Sequence, residues 1–121
     1  MQIVKSVQSK VCTDGSLMKE YILDEPLTPA FLTFLRSFGI VKEYPHMKRP
    51  YFSFEHEHFI SIKGFTGDTS VEVRYQKGFS DLTSDYFHLL LFYSRQGEPG
   101  IRKMHEIEES IRERMKIRLP R

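Results

Sequence analysis

Apolar and polar residues alternate in several short stretches of the chain, which is the pattern of strands that bury one face of a sheet. The clearest stretch places Val71, Val73 and Tyr75 on one side, with charged or amide side chains between them. The same pattern predicts strands over residues 2–12, 17–23, 40–44, 51–54, 59–63 and 70–76. The first of these is predicted at an edge of the sheet, because Lys5 falls on its apolar side.

The first two predicted strands are separated by Asp14-Gly15, a pair that is typical of tight hairpin turns. A helix that begins at Ser16 is the alternative to the second strand, because Leu17, Met18, Tyr21 and Ile22 also fit a helical stripe.

Residues 86–94 form the most apolar stretch, Tyr-Phe-His-Leu-Leu-Leu-Phe-Tyr-Ser, which contains no Gly or Pro. Both of its alternating faces are largely apolar. This composition is typical of a strand that is covered on both sides, so we predict that residues 86–94 form the central strand of the sheet.

Two helices are predicted on either side of the later strands. Thr28 and Pro29 are favoured residues for a helix start, and Gly39 is expected to end this first helix in the left-handed conformation. The second helix covers about residues 98–117, where apolar residues recur every three or four positions. Within it, Glu108 and Arg112 are spaced to form an ion pair.

The predicted fold class is therefore α+β: an antiparallel sheet of about five to seven strands with two helices packed on one face. The 121 residues are expected to form a single domain. Residues 1–16 are either part of its core or an N-terminal strand appendage.

From residue 17 onward, the predicted order is strand, helix, four or five strands, helix. This order resembles a single repeat of the TATA-box-binding-protein-like (TBP-like) fold, β-α-β4-α. That fold includes helix-grip proteins, which hold apolar ligands between a curved sheet and a long C-terminal helix. The resemblance rests on element order over residues 17–117, so it transfers no functional residue. The lack of family-specific motifs also fits a prokaryotic family of unknown function.

Composition narrows the function classes only slightly. The formal net charge of +2 permits nucleic acid as a partner but is too small to argue for it. Cys12 is the only cysteine, which excludes an intramolecular disulfide and fits a cytoplasmic protein. Walker-type, dinucleotide-binding and His-Glu-x-x-His motifs are absent from the sequence, so a non-enzymatic protein without a cofactor is expected. No stretch approaches the roughly 18 apolar residues of a membrane helix, so no membrane partner is expected.

One short segment, Glu55-His56-Glu57-His58, contains candidate metal ligands. In a strand, His56 and His58 would point to the same side and provide two corners of a metal site. Zinc needs at least a third protein ligand, so a polar hairpin tip is the preferred interpretation.

The main functional hypothesis concerns the sheet face that points away from the helices. With Ile60, Ile62, Val71, Val73, Leu89 and Leu91 facing the helices, alternation places aromatic, apolar and basic residues on the other face. The candidate interaction residues there are Tyr51, Phe59, Lys63, Arg74, Tyr86, His88 and Phe92, accompanied by Glu72, Gln76 and Leu90.

We expect such a face to associate with a protein partner or with a second copy of the chain, since large apolar patches usually mark interfaces. The alternative is nucleic-acid binding, in which aromatic rings stack on bases and basic residues pair with phosphates. A third hypothesis is a helix-grip ligand cavity among Phe31, Phe34, Phe38, Met104 and Ile107.

Overall fold

A computed structural model describes residues 1–57 and 59–118 of the chain. Within these residues, six strands and three helices occur in the order β1 Ile3–Val11, β2 Leu17–Leu23, α1 Pro29–Leu35, β3 Ile40–Tyr44, β4 Tyr51–Glu55, β5 Ile60–Phe65, β6 Ser70–Tyr75, α2 Ser80–Tyr93 and α3 Gly97–Arg118. The strands form one antiparallel sheet in the order β1-β2-β6-β5-β4-β3. The predicted α+β class and antiparallel sheet are confirmed.

The helices cover one face of this sheet. Buried side chains alternate along β4, β5 and β6, and the predicted inward residues Ile60, Ile62, Val71 and Val73 are all buried. The two C-terminal helices pack against each other, and α2 also contacts β6. Between β2 and α2, the rings of Tyr21 and Phe87 stack with their centroids 5.6 Å apart.

The main correction concerns residues 86–94, which do not form the central strand. Residues 86–93 belong to α2, which begins at Ser80. Its buried residues recur at helical spacing: Leu82, Thr83, Tyr86, Phe87, Leu90 and Leu91. A short apolar run cannot distinguish a buried strand from a buried helix, so the fold has three helices where two were predicted.

The first helix begins as predicted but ends earlier. The Thr28 hydroxyl accepts a hydrogen bond from the backbone N–H of Phe31 at 3.2 Å, and Pro29 opens the helix. After Leu35 the chain continues through tight turns, and Gly39 does not adopt the predicted left-handed conformation. A Cβ at Gly39 would lie 2.2 Å from the carbonyl oxygen of Glu55, so this glycine permits close approach to β4.

Strand β1 forms one edge of the sheet, as predicted, and β2 is a strand rather than the alternative helix. All β1 side chains except Ile3 are exposed, and the register with β2 shifts at two irregular positions. Pairing to β2 therefore extends the sheet, while β1 adds little side-chain packing to the core. In the described part of the chain, no helix is long and apolar enough to cross a membrane.

Candidate binding face

The structure separates the seven predicted interaction residues into two groups. Tyr51, Lys63 and Arg74 lie on the sheet face opposite the helices, which we call the open face. The other four do not lie on it, because their elements pack on the helical side. They are Phe59, which is buried in the core, and Tyr86, His88 and Phe92, which belong to α2.

The residues on α2 have separate surroundings. Tyr86 and Leu90 are buried, whereas Phe92 is 61% exposed. The Nδ1 of the exposed His88 donates a hydrogen bond to the backbone carbonyl oxygen of Ser84 at 2.8 Å. The prediction that these residues share the open face with Tyr51 was wrong, because it depended on residues 86–94 forming a strand.

Three aromatic rings lie side by side at one end of the open face. Tyr44 on β3 is directly opposite Tyr51 on β4, which in turn is opposite Phe65 on β5. The ring centroids are 5.6 Å apart for the first pair and 5.4 Å apart for the second. Tyr44 is exposed and the other two rings are half-buried. We call these three residues the aromatic row.

A second row lies two residues farther along the same three strands. Lys42 is opposite Ser53, and Ser53 is opposite Lys63. Two residues of a strand span about 7 Å, so the Cα atoms of Lys42 and Lys63 lie about that far from those of the aromatic row. Both lysine side chains are exposed. We call Lys42 and Lys63 the lysine pair. A depression of about 270 Å³ runs across β3, β4 and β5, and its lining includes Tyr44, Tyr51, Lys42 and Lys63 together with Ile40, Glu55 and Ser61.

The rest of the open face carries charges of both signs and three apolar side chains, Met18, Ile22 and the exposed Ile40. Lys63 is opposite Glu72 on β6, and Glu72 is opposite Glu20 on β2. Partial burial, followed by the proximity of Glu72 and Tyr44, raises the pKa of Tyr51, so its phenol is neutral at physiological pH. Four aromatic or apolar residues that the sequence placed in a patch on this face do not lie on it: Phe59, Tyr86, Leu90 and Phe92.

Arg74, the second basic residue predicted beside Lys63, lies in another part of the face. Arg74 is opposite Ser61 on one side and Met18 on the other. It lines a cleft of about 410 Å³ that reaches Asp14 and His56. Hydrogen bonds from Ser16 lower the pKa of Asp14, and Arg74 contributes a smaller favourable charge interaction. Arg74 thus faces an acidic neighbour.

The segment predicted as a weak metal site has a different role for its first histidine. His56 points into the protein, where its Nε2 lies 3.0 Å from Oε1 of Glu108. His58 lies outside the described residues. Across residues 1–57 and 59–118, no group of three or more His, Cys, Asp or Glu side chains is arranged to hold a metal ion.

Glu108 is the centre of a buried polar cluster that the sequence reasoning missed. Its Oε1 also accepts a hydrogen bond from the Tyr86 hydroxyl at 2.9 Å, while His105 and Arg112 lie 3.5 and 3.8 Å from Oε2. Burial alone would raise the pKa of Glu108, but hydrogen bonds from His56 and Tyr86 outweigh it and lower that pKa.

The spacing of α3 contained a signal for this cluster. Its buried positions run Met104, Glu108, Ile111 and Met115, so Glu108 occupies the inward stripe and Ile107 is only half-buried. The predicted ion pair between Glu108 and Arg112 is present. Because Glu108 and His56 are almost fully buried, the cluster is suited to fastening α3 to the sheet rather than to contacting a substrate.

The residues proposed to line a helix-grip cavity are packed in the core. Phe31, Phe34, Phe38 and Met104 are buried in one cluster, and Ile107 packs partly against it. The rings of Phe34 and Phe38 meet edge to face, 5.0 Å apart. Such close contacts give no support to a ligand cavity among these side chains.

No protein-family model, curated protein or solved structure matches the chain.

Proposed function

We propose that the protein is a non-enzymatic binding domain that holds single-stranded nucleic acid on the open face of its sheet. The observation that carries this proposal is the aromatic row, Tyr44, Tyr51 and Phe65, beside the lysine pair, Lys42 and Lys63. Neither the aromatic row nor the lysine pair indicates a ligand by itself. Together they match the two chemical features of a nucleotide chain, its flat bases and its negatively charged phosphates.

The aromatic row and the lysine pair would contact different parts of the nucleic acid. Tyr44 is exposed and Tyr51 and Phe65 are half-buried, so the aromatic row offers partly exposed ring surfaces on which unpaired bases can stack, at about 1–3 kcal/mol per base. The lysine pair supplies positive charge for the phosphates, about 7 Å away along the strands. A duplex would keep its bases stacked inside, so the aromatic row favours a single strand.

Association with a protein or a second copy is the second candidate function. One observation favours it: β1 has an unpaired outer edge and exposes Val4, Val7 and Val11. Its register irregularities and its lysines, Lys5 and Lys10, are features that discourage edge-to-edge pairing. The open face also carries charges of both signs, whereas the interfaces of obligate dimers are more hydrophobic.

The order of elements supports a TBP-like arrangement, which we include in the proposal. From β2 onward the chain runs strand, helix, four strands and then the helices α2 and α3. In the sheet, β2 lies beside β6, so the first and last strands of this unit are neighbours. This arrangement leaves one sheet face without helices, where the aromatic row lies.

The proposal is tested by fluorescence anisotropy with a fluorescein-labelled, mixed-sequence DNA or RNA strand of ten nucleotides, titrated at several salt concentrations. Lys42→Ala and Lys63→Ala should each weaken binding and reduce the salt slope by about 0.7. Tyr51→Ala should weaken binding without changing that slope, because stacking carries no charge.

The matched control is Lys10→Ala, which removes an exposed lysine from the same face three strands away from β5. This variant should bind like the unaltered protein. Absence of binding at low salt, or equal weakening by the control and by Lys63→Ala, would contradict the proposed site.

A further inference from the structure

Arg49 lies at the end of the aromatic row and covers one of its rings. It belongs to the turn between β3 and β4, and its guanidinium carbon lies 4.6 Å from the centroid of the Phe65 ring. The guanidinium also forms an ion pair with Asp68, in the turn between β5 and β6. Two turns are therefore linked through one arginine.

Asp68 is itself held in place by the backbone. Its Oδ1 accepts hydrogen bonds from the N–H groups of Thr69 at 2.7 Å and Ser70 at 3.3 Å, which leaves Oδ2 to pair with Arg49. The hydrogen bond from Arg49 is the main reason why the pKa of Asp68 is lowered. The acid is thus ionised at neutral pH and fixes the arginine above the ring.

This position changes what the aromatic row offers to a ligand. A base cannot stack on the Phe65 face that Arg49 covers, but it can stack on the outer plane of the guanidinium. The guanidinium has five N–H donors, and those that Asp68 does not use can reach a phosphate. The side chain remains 60% exposed, so a ligand can reach it.

We propose that Arg49, positioned by Asp68 and Phe65, is the third stacking position of the nucleic-acid site, after Tyr44 and Tyr51. This inference rests on the proposed function and extends it. The site then takes a single-stranded segment of at least three nucleotides, with its third base on the guanidinium and a neighbouring phosphate at the guanidinium edge.

Two variants test this role in the same anisotropy titration. Arg49→Lys keeps the charge but removes the plane, so binding should weaken about fivefold or more while the salt slope stays unchanged. Asp68→Asn keeps an oxygen for the Thr69 and Ser70 N–H groups but releases the arginine, and should also weaken binding. If Asp68 acted only as a surface charge, Asp68→Asn would instead tighten binding, because removing a negative charge near a polyanion strengthens the attraction.

The outcomes separate this inference from the proposed function. If the unaltered protein does not bind the oligonucleotide, both fail. If it binds and depends on Tyr51 and Lys63, but Arg49→Lys is neutral or Asp68→Asn tightens binding, only the role of Arg49 is overturned. Weakening by both variants, with unchanged thermal unfolding, is the result that the inference requires.

Discussion

Removing the hydroxyl group of Tyr86 should destabilise the protein through the buried carboxylate of Glu108. In the native state this hydroxyl donates to Glu108 Oε1 at 2.9 Å, and both side chains are buried. Burial, together with the charge of Glu108, raises the pKa of Tyr86, so the phenol remains a donor at all moderate pH values. Tyr86→Phe deletes this one donor and preserves the ring that packs against Phe59 and His56.

The expected cost follows from the charge of the acceptor. A hydrogen bond to an ionised group contributes about 1.5–3 kcal/mol, and Glu108 keeps the hydrogen bond with His56. We therefore expect Tyr86→Phe to lower the free energy of unfolding by about 2 kcal/mol. The matched control is Tyr75→Phe, which removes a buried hydroxyl whose hydrogen-bond partners are both neutral, the Tyr21 hydroxyl at 2.7 Å and the Ser84 side chain. A neutral hydrogen bond contributes about 1 kcal/mol, less than one to an ionised group.

The assay is urea unfolding at 25 °C, followed by far-ultraviolet circular dichroism at several pH values. Because the pKa of Glu108 is lowered in the folded state, its carboxylate stabilises the fold above the ordinary value of 4.5. That stabilisation is lost as the pH falls through the lower folded value. The difference in the free energy of unfolding between Tyr86→Phe and the unaltered protein should therefore have its full size at pH 7 and shrink below about pH 4.5.

Two results would refute this reasoning. One is a cost for Tyr86→Phe at pH 7 that is no larger than the cost for Tyr75→Phe. The other is a difference that stays constant through the acid range, since the carboxylate would then not be the group that the hydroxyl stabilises.

Three further predictions follow from local features of the fold. Thr28→Ala should lower the free energy of unfolding by about 1 kcal/mol in the same urea assay, because α1 loses its cap. Gly39→Ala should cost about 1–3 kcal/mol, since the new methyl group meets the Glu55 carbonyl, and a neutral result would show that the backbone relaxes freely. Arg118 hydrogen-bonds to Asp81 and lowers its pKa to about 2. In an NMR titration, Arg118→Ala should raise that pKa toward 3.8, and an unchanged value would exclude the contact.

Much of the sheet could be predicted from local sequence signals. The Asp14-Gly15 turn, the Thr28 cap and the alternation around Val73 each depend on a few neighbouring residues. The same alternation correctly placed Lys63 and Arg74 on the open face. These features need no knowledge of distant contacts.

The features that were predicted wrongly or missed depend on contacts between distant segments. Residues 86–94 are apolar on both alternating faces, so only the packing of α2 against the sheet and α3 decides between strand and helix. The aromatic row was missed because pairing of Tyr44 with Tyr51, and of Tyr51 with Phe65, depends on strand register. The buried position of Glu108 was missed because its hydrogen-bond partners, His56 and Tyr86, are distant in the sequence.

Binding of single-stranded nucleic acid to the open face can be measured by an amide NMR titration with a short mixed-sequence oligonucleotide. We expect shifts that cluster on Lys42, Tyr44, Tyr51, Lys63 and Phe65 and weaken as salt is raised from low to physiological concentration. A silent titration at low salt, or shifts confined to β1 and the outer side of α2, would contradict it.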